Sequence, residues 1–142
     1  MQNIGVIYWS MTGNTQAMAQ AIAEGARNTG AQVDIFSVPD VTVEQALAYD
    51  KLALGCPAMG AEVLEESEFE PFFAQLEGRL GGKKVALFGS YGWGDGQWMR
   101  DWQIRTEAAN ANLYAQGLIL QETPDANGLE QCRQFGASFA TE

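Results

Sequence analysis

The stretch Ile4-Gly5-Val6-Ile7-Tyr8-Trp9-Ser10-Met11-Thr12-Gly13-Asn14-Thr15 joins an apolar run to a polar, glycine-containing loop. The apolar run shows no alternation, which is typical of a strand covered on both faces of a parallel sheet. After the loop, apolar residues recur at helical spacing from Met18 to Ala26, until Asn28-Thr29-Gly30 supplies a stop. The stretch therefore predicts a buried strand, a loop over residues 10–14 and a helix.

The same alternation of strand and helix continues along the chain. Further strands are predicted at residues 33–37, 51–55, 85–89 and 117–120. A short helix is predicted from the capping box Thr42-Val43-Glu44-Gln45. Three longer helices are predicted from near Ser67 to Gly78, around Trp98, Trp102 and Ile104, and from Leu129 to Phe139. Five strands that alternate with five helices predict an open parallel α/β sheet with helices on both faces. Since no linker interrupts the pattern, residues 1–142 are expected to form a single domain.

Composition and charge narrow the possible functions. Of the 142 residues, 46% are apolar, which is enough for one folded domain. Eighteen Asp and Glu residues against eight Lys and Arg residues give a net charge of -10, the wrong sign for binding nucleic acid or an anionic membrane surface. No run is long enough to span a membrane, and Met1-Gln2-Asn3 lacks the basic region of a secretion signal, so we expect a cytoplasmic protein.

The chain offers few residues for catalysis of its own. It has no histidine, and Cys56 and Cys132 are far apart in the sequence, with no CxxC motif. These features exclude Ser-His-Asp and Cys-His catalysis, redox dithiols and most zinc sites. We therefore predict two free, buried thiols and no metal site, with any chemistry supplied by a cofactor.

Unusual loops follow the first, third and fourth predicted strands and should meet at the carboxyl edge of the sheet, where open α/β sheets bind ligands. In the first loop, the N–H groups of a helix N-terminus and the hydroxyls of Ser10, Thr12 and Thr15 are suited to holding a phosphate. This loop contains no lysine and matches neither common nucleotide-binding motif. Ordinary capping of the helix is the alternative interpretation.

The other two loops carry large apolar side chains, Met59 and Trp93, next to glycines. A planar aromatic ligand held between the thioether and the indole accounts for both residues. The alternative is that Trp93 is a hydrophobic plug. An acidic stretch follows Met59 and is interpreted either as a solvated surface or as a docking face for basic partners; it comprises Glu62, Glu65, Glu66, Glu68 and Glu70.

With these loops, the sequence resembles a flavodoxin of the short-chain type found in anaerobic bacteria. The resemblance covers essentially the whole chain, and its main motifs are Tyr8-Trp9-Ser10-Met11-Thr12-Gly13-Asn14-Thr15, Gly55-Cys56-Pro57-Ala58-Met59-Gly60 and Phe88-Gly89-Ser90-Tyr91-Gly92-Trp93-Gly94-Asp95-Gly96. The last strand, residues 117–121, lacks the inserted loop of long-chain members. The resemblance implies a flavodoxin-like three-layer sandwich with a five-stranded parallel sheet of order 2-1-3-4-5.

By this resemblance the ligand is FMN, bound non-covalently. The phosphate would lie in residues 10–15 and the flavin ring between Met59 and Trp93, while Glu62 would accept from the flavin N3–H. Gly60 corresponds to the residue whose peptide turns over on one-electron reduction. The implied cofactor-binding residues are Ser10, Met11, Thr12, Gly13, Asn14, Thr15, Ala58, Met59, Gly60, Ala61, Glu62, Ser90, Tyr91, Gly92, Trp93, Gly94 and Asp95.

The resemblance also implies a function. The protein would be a low-potential one-electron carrier between redox enzymes, cycling mainly between semiquinone and hydroquinone, and would not be an enzyme. Its partners would have basic docking faces, and ferredoxin-type reductases, hydrogenases and pyruvate-oxidising enzymes are candidates. The carrier itself would be a monomer.

Two other functions occur on this topology and have their own sequence requirements. An FMN-dependent NAD(P)H:quinone or flavin reductase would need a nicotinamide pocket, for which the chain shows no spare length. A flavin-free receiver domain would need paired acidic residues after the first strand and a lysine after the fifth, where this chain has Trp9-Ser10 and Leu120-Gln121.

Two positions depart from the family pattern. Met11 stands where close relatives have glycine, so a positive φ at this residue would strain the phosphate loop. Ala61 stands where some relatives carry a polar or acidic residue, which could alter the energetics of the peptide turn at Gly60.

Overall fold

The computed structural model describes residues 3–142, and Met1 and Gln2, whose sequence was considered above for a secretion signal, lie outside this range. The strands are β1 (Asn3–Tyr8), β2 (Gln32–Ser37), β3 (Lys51–Gly55), β4 (Lys84–Tyr91), β5 (Asn112–Leu113) and β6 (Leu118–Gln121). The helices are α1 (Asn14–Arg27), α2 (Val43–Leu47), α3 (Phe69–Glu77), α4 (Gln97–Ala108) and α5 (Ala126–Thr141). The predicted alternation of strands and helices is confirmed.

All the strand pairs are parallel, and the order across the sheet is β2-β1-β3-β4-β5, with β6 also paired to β4. The predicted 2-1-3-4-5 sheet is therefore confirmed. One buried cluster packs α2, α3 and α4 on one face of the sheet, and a second packs α1 and α5 on the other. Every residue of β3 is buried, as the continuous apolar pattern indicates for a central strand.

The fifth strand position differs from the prediction because two short strands share it. β5 pairs with Lys84 and Val85 at the start of β4, while β6 pairs with the end of β4, from Phe88 to Tyr91. The four residues 114–117, which connect β5 to β6, lie opposite only two residues of β4. Among them, Ala115 has a left-handed φ of 53°. The chain must therefore leave the sheet and return, which interrupts the strand.

Helices α1 and α5 approach each other unusually closely. A Cβ atom on Gly25 would overlap the main-chain carbonyl of Arg133, and one on Gly136 would overlap that of Ile22. Only glycine permits this contact, which accounts for two glycines inside helices where they are otherwise unfavourable.

The amino edge of the sheet carries all three lysines of the chain, and each ammonium group donates to main-chain oxygens. Lys51 is 1% exposed, and its Nζ donates to the oxygens of Phe139 (2.6 Å), Ala140 (3.2 Å) and Glu142 (2.9 Å). Lys83 donates to two carbonyls near the end of α2, and Lys84 donates to Glu142. The charges at this edge are thus bound to the protein's own backbone.

Candidate ligand cleft

A cleft of about 190 Å³ lies at the carboxyl edge of the sheet, between the ends of β1, β3 and β4. The direction of chain progression reverses between β1 and β3, and this switch point is where open α/β sheets bind ligands. Ten of the predicted site residues line the cleft: Ser10, Met11, Thr12, Asn14, Thr15, Ala58, Met59, Ser90, Tyr91 and Gly92. The fold therefore brings together parts of all three loops that the sequence singled out.

The phosphate-loop candidate ends at the N-terminus of α1. Gly13 is the N-cap residue, has a left-handed φ of 94° and leaves the helix without a side-chain cap. The Ser10 hydroxyl oxygen instead accepts from the Gly13 N–H at 3.1 Å, one step before the helix. The alternative of ordinary side-chain capping is therefore wrong for α1, and the N–H groups of its first turn remain available to an anion in the cleft.

Thr15 lines the cleft and is also bonded to the sheet. Its side chain is buried, and its hydroxyl forms a 2.8 Å hydrogen bond with the hydroxyl of Ser90 on β4. This bond joins the floor of the cleft to the start of α1. The hydroxyl that accepts in it can still donate one bond to a ligand, and the one that donates can still accept. Ser90 and Tyr91 belong to β4, which runs two residues beyond its predicted end, so they are strand residues and not loop residues.

Met11 has no backbone strain. It is not among the residues with positive φ, and its side chain is 67% exposed. The left-handed conformation that the loop requires falls on Gly13, which adopts it without steric cost. The condition under which Met11 would strain the phosphate loop is therefore absent.

The loop after β3 contains a tight hairpin, although its proline and glycine predicted irregular structure. Met59 and Val63 exchange backbone hydrogen bonds of 2.9 and 3.0 Å, and Gly60 and Glu62 within the turn have φ values of 49° and 57°. No atom lies within 4 Å of where a Gly60 Cβ would stand, so the peptide at Gly60 has space around it. Gly60 and Ala61 lie at the tip, outside the cleft lining.

Glu62 connects the hairpin to the glycine-rich loop after β4. Its carboxylate accepts from the N–H groups of Asp95 and Trp98, both at 3.3 Å, and Trp98 lies in the first turn of α4. Gly94 has a φ of 88°, and a Cβ atom there would overlap the Glu62 carboxylate. The contact fixes the two loops relative to each other.

The remaining predicted residues after β4 lie beside the cleft. Trp93 is 65% exposed, and neither it nor Gly94 or Asp95 lines the cleft. Arg100 donates to the Asp95 carboxylate at 2.9 Å, which places a cation beside this loop that the loop sequence alone did not indicate.

Sequence reasoning missed two residues of the cleft lining, Pro57 and Glu122. Glu122 follows β6, has a φ of 59°, and donates its N–H to the carbonyl of Tyr91 at 2.7 Å. Of the described residues that line the cleft, Glu122 is the one with a charged side chain. The sequence gives little indication of this role for Glu122, because no glycine or motif marks the end of the last strand.

The acidic stretch divides into structural and exposed carboxylates. Glu65 is 6% exposed and accepts hydrogen bonds from the N–H groups of Ser67, Glu68 and Phe69 and from the Ser67 hydroxyl. Burial alone would raise the pKa of Glu65, but these hydrogen bonds outweigh it and lower the pKa. Glu65 thus fixes the start of α3, while Glu66 and Glu68 remain exposed.

Glu70 also has a structural partner. Its carboxylate forms a two-pronged ion pair with Arg105 of α4 at 2.6 and 2.8 Å, and Arg105 also binds Glu77. The interpretation of the whole stretch as free surface or docking charge is therefore wrong for Glu65 and Glu70.

Both thiols are free and buried, as predicted, and burial raises the pKa of Cys56 and that of Cys132. Within residues 3–142, no group of three or more His, Cys, Asp or Glu side chains is placed to hold a metal ion. No helix in the same range is long and apolar enough to cross a membrane.

The sheet order and the cleft at its switch point define an open, doubly wound α/β protein with a ligand site of the mononucleotide-binding kind. The Flavodoxin family matches residues 6–136. A flavodoxin from Clostridium beijerinckii is 49% identical over 95% of this chain and 97% of its own, and one from Megasphaera elsdenii is 44% identical over 96% and 98%. This chain therefore belongs to the flavodoxin family.

Solved structures agree with this assignment. The solution structure of two-electron reduced Megasphaera elsdenii flavodoxin matches with a TM-score of 0.89 over 98% of this chain and 99% of that one. A flavodoxin from the domain Archaea, 26% identical, matches with the same TM-score over 98% and 96% of the two chains. Family membership confirms the predictions of FMN as the cofactor and of an electron-transfer protein in place of an enzyme.

Proposed function

We propose that the cleft between β1, β3 and β4 holds FMN and that the protein carries electrons singly, at low potential, between partner proteins. The observation that supports this most directly is the N-terminus of α1, which opens on the cleft without a side-chain cap. An uncapped helix N-terminus provides N–H donors and partial positive charge, which suit a phosphate group. When bound, FMN supplies the redox chemistry, and the chain supplies binding, orientation and electrostatics.

The phosphate end would be held by neutral donors alone. The first-turn N–H groups of α1 and the hydroxyls of Ser10, Thr12 and Thr15 would donate to it, and the Thr15–Ser90 hydrogen bond fixes one of these hydroxyls in position. No lysine or arginine is among the described residues lining the cleft. The phosphate would therefore keep its negative charge after binding.

The ring end would be held by side chains of the two outer loops. Met59 lines the cleft, and the exposed Trp93 on the neighbouring loop has the area to cover the opposite face of a planar ring. Glu62, bound to the N–H groups of that loop, would also accept from an N–H at the edge of the ring. The open space around Gly60 would allow its peptide to change direction.

The charges around the cleft oppose the addition of negative charge to a bound group. Glu122 lines the cleft, no cation is among the described residues that line it, and the chain carries a net charge of -10. In a site of reduced dielectric constant, like charges raise the free energy of the more negative state. We therefore expect the fully reduced state to be a strong reductant.

Titration of the protein with FMN, followed by an anaerobic reductive titration monitored by visible absorption, tests this function. We expect one FMN per chain and reduction in two separate one-electron stages. Failure to bind FMN would contradict the proposed site. Reduction in a single two-electron stage, together with steady-state oxidation of NAD(P)H, would favour the flavin or quinone reductase instead.

For the partner, we propose a redox protein with a basic face that docks on a monomeric, cytoplasmic carrier. Glu122 lines the cleft, and the exposed Glu66 and Glu68 lie on the segment between β3 and α3; these carboxylates favour such a partner. Rates of electron transfer to a ferredoxin-type reductase should fall steeply as salt is added, because screening weakens the attraction. Rates that are independent of salt would contradict docking by charge, and sedimentation equilibrium would test the monomer.

A further inference from the structure

A second concave surface, the flank groove, lies beside the cleft between residues 38–44 and the start of α3, and has a volume of about 460 Å³. Its floor is apolar, formed by Val38, Val41 and Phe72, which are 7%, 5% and 8% exposed. A groove of this size is large enough to receive an apolar side chain from another molecule.

The rim of the flank groove limits how an occupant can bind. Pro39 and Pro71 stand exposed on opposite sides of it. Because proline has no N–H group, these positions provide no donor with which an added β-strand could pair. The groove is therefore suited to an inserted side chain and not to an extended strand.

Both ends of the flank groove carry a carboxylate. Glu44 lies at one end, where it pairs with Arg79 at 2.7 Å, and Glu68 lies at the other, where its carboxylate accepts from the Trp9 indole N–H at 2.9 Å. None of the described residues that line the groove is a cation, and Asp40 and Glu66 are exposed close by in the chain. Even with Arg79 counted against Glu44, carboxylates outnumber cations at this surface, so a partner of complementary charge is basic.

The flank groove and the cleft share a border. Trp9 binds Glu68 of the groove through its side chain, and the next residue, Ser10, lines the cleft. The carboxyl ends of β1 and β2 are adjacent, since Tyr8 pairs with Ser37 in register. A protein that covers the cleft therefore reaches the groove without leaving the same face of the molecule.

We infer that the flank groove is an anchor site for the redox partner, and that it receives an apolar side chain flanked by lysine or arginine. This inference rests on the proposed docking of a basic partner at the cleft edge. The apolar side chain fills the groove while its cationic neighbours meet Glu44 and Glu68. The anchor fixes the orientation of a partner that the wider negative charge only attracts.

The experiment titrates the acetylated, amidated hexapeptide KKLFKK into the ¹⁵N-labelled, FMN-loaded protein and follows backbone amide shifts. We expect saturable shifts centred on Val41 and Phe72. The double variant Glu44→Gln/Glu68→Gln should weaken binding about five-fold, while its glutamine at 68 can still accept from Trp9. The peptide KKSSKK should lose the response at Phe72, because it lacks the apolar anchor.

The matched control is the double variant Glu24→Gln/Glu107→Gln, which removes the same charge from exposed positions outside the groove and should leave peptide affinity nearly unchanged. Equal weakening in both double variants, or shifts spread over the acidic surface, would overturn the inference. The visible spectrum of each sample reports bound FMN independently. If the peptide does not bind but FMN does, only the inference about the groove is overturned. If FMN does not bind, the proposed function is contradicted instead.

Discussion

The two edges of the sheet treat their polar groups in opposite ways. At the amino edge, the ammonium group of each lysine is bound to carbonyls of the protein itself, with Lys51 buried under the end of α5. At the carboxyl edge, α1 follows its N-cap residue Gly13 without a side-chain cap and faces a cleft. Polar groups that are hydrogen-bonded within the protein stabilise the fold, whereas polar groups without a partner in the protein can bind a ligand.

The largest loss of stability is expected at the amino edge. Lys51→Met removes the donor to three main-chain oxygens and should lower the free energy of unfolding by about 2–4 kcal/mol, because buried acceptors are left unpaired. Urea unfolding of the FMN-free protein measures this loss. Lys84→Met is the control, since Lys84 makes a single, exposed contact and should cost under about 1 kcal/mol. Equal losses in the two variants would contradict the assigned role of Lys51.

Glu65 is the exception at the carboxyl edge, because its carboxylate is hydrogen-bonded within the protein. Glu65→Gln should cost about 2 kcal/mol at neutral pH, since charge-assisted bonds to the start of α3 are lost. The folded-state pKa of Glu65 is lowered, so its contribution is present above its unfolded pKa and is lost as pH falls through the folded value. The free energies of unfolding of wild type and Glu65→Gln, measured between pH 7 and pH 3, should therefore converge at low pH.

The control for Glu65 is its exposed neighbour. Glu66→Gln should change stability by less than about 0.5 kcal/mol at any of these pH values, because no structural contact is lost. A difference between wild type and Glu65→Gln that did not depend on pH would assign the loss to packing and not to the carboxylate.

A substitution in the glycine-rich loop after β4 should affect FMN binding more than folding stability. Gly94→Ala puts a Cβ where the Glu62 carboxylate lies, at a positive φ, and should weaken FMN binding about ten-fold by separating the two outer loops. Fluorescence titration with FMN measures the dissociation constant. Gly78→Ala is the control, because Gly78 lies outside the cleft, has a φ of -71° and has no atom within 4 Å of its Cβ position. Equal effects would mean that the Glu62 contact does not position the loops.

The smallest effect is expected at Met11, where the family pattern has glycine. Met11→Gly should change FMN affinity less than about two-fold, because the residue is exposed and its backbone is unstrained. The same fluorescence titration measures it. A gain in affinity of ten-fold or more would indicate that Met11 does strain the phosphate loop.

Local patterns predicted most of the fold. The Thr42–Gln45 capping box is present with both reciprocal bonds, and β3 has the predicted bounds at Lys51 and Gly55. Continuous apolar runs identify buried strands because both faces of each run must be covered. The loops that follow such strands could then be placed at one edge from topology alone.

The missed features depend on contacts between distant parts of the chain. Glu65 and Glu66 look alike in sequence, and only the folded loop buries one of them against the start of α3. The partner of Glu70, Arg105, lies 35 residues away. Glu122 enters the cleft through a left-handed backbone that no glycine marks. Sequence periodicity carries no information about such pairings.

The hydrogen bonds from Lys51 to the end of α5 also affect how the chain folds during synthesis. Lys51 leaves the ribosome long before its acceptor at Phe139, which lies 88 residues later. Until α5 emerges and docks, the ammonium group has no internal acceptors and keeps the start of β3 hydrated. Nascent chains would therefore bury the start of β3 only after α5, which follows it by more than 70 residues, has been translated and has docked.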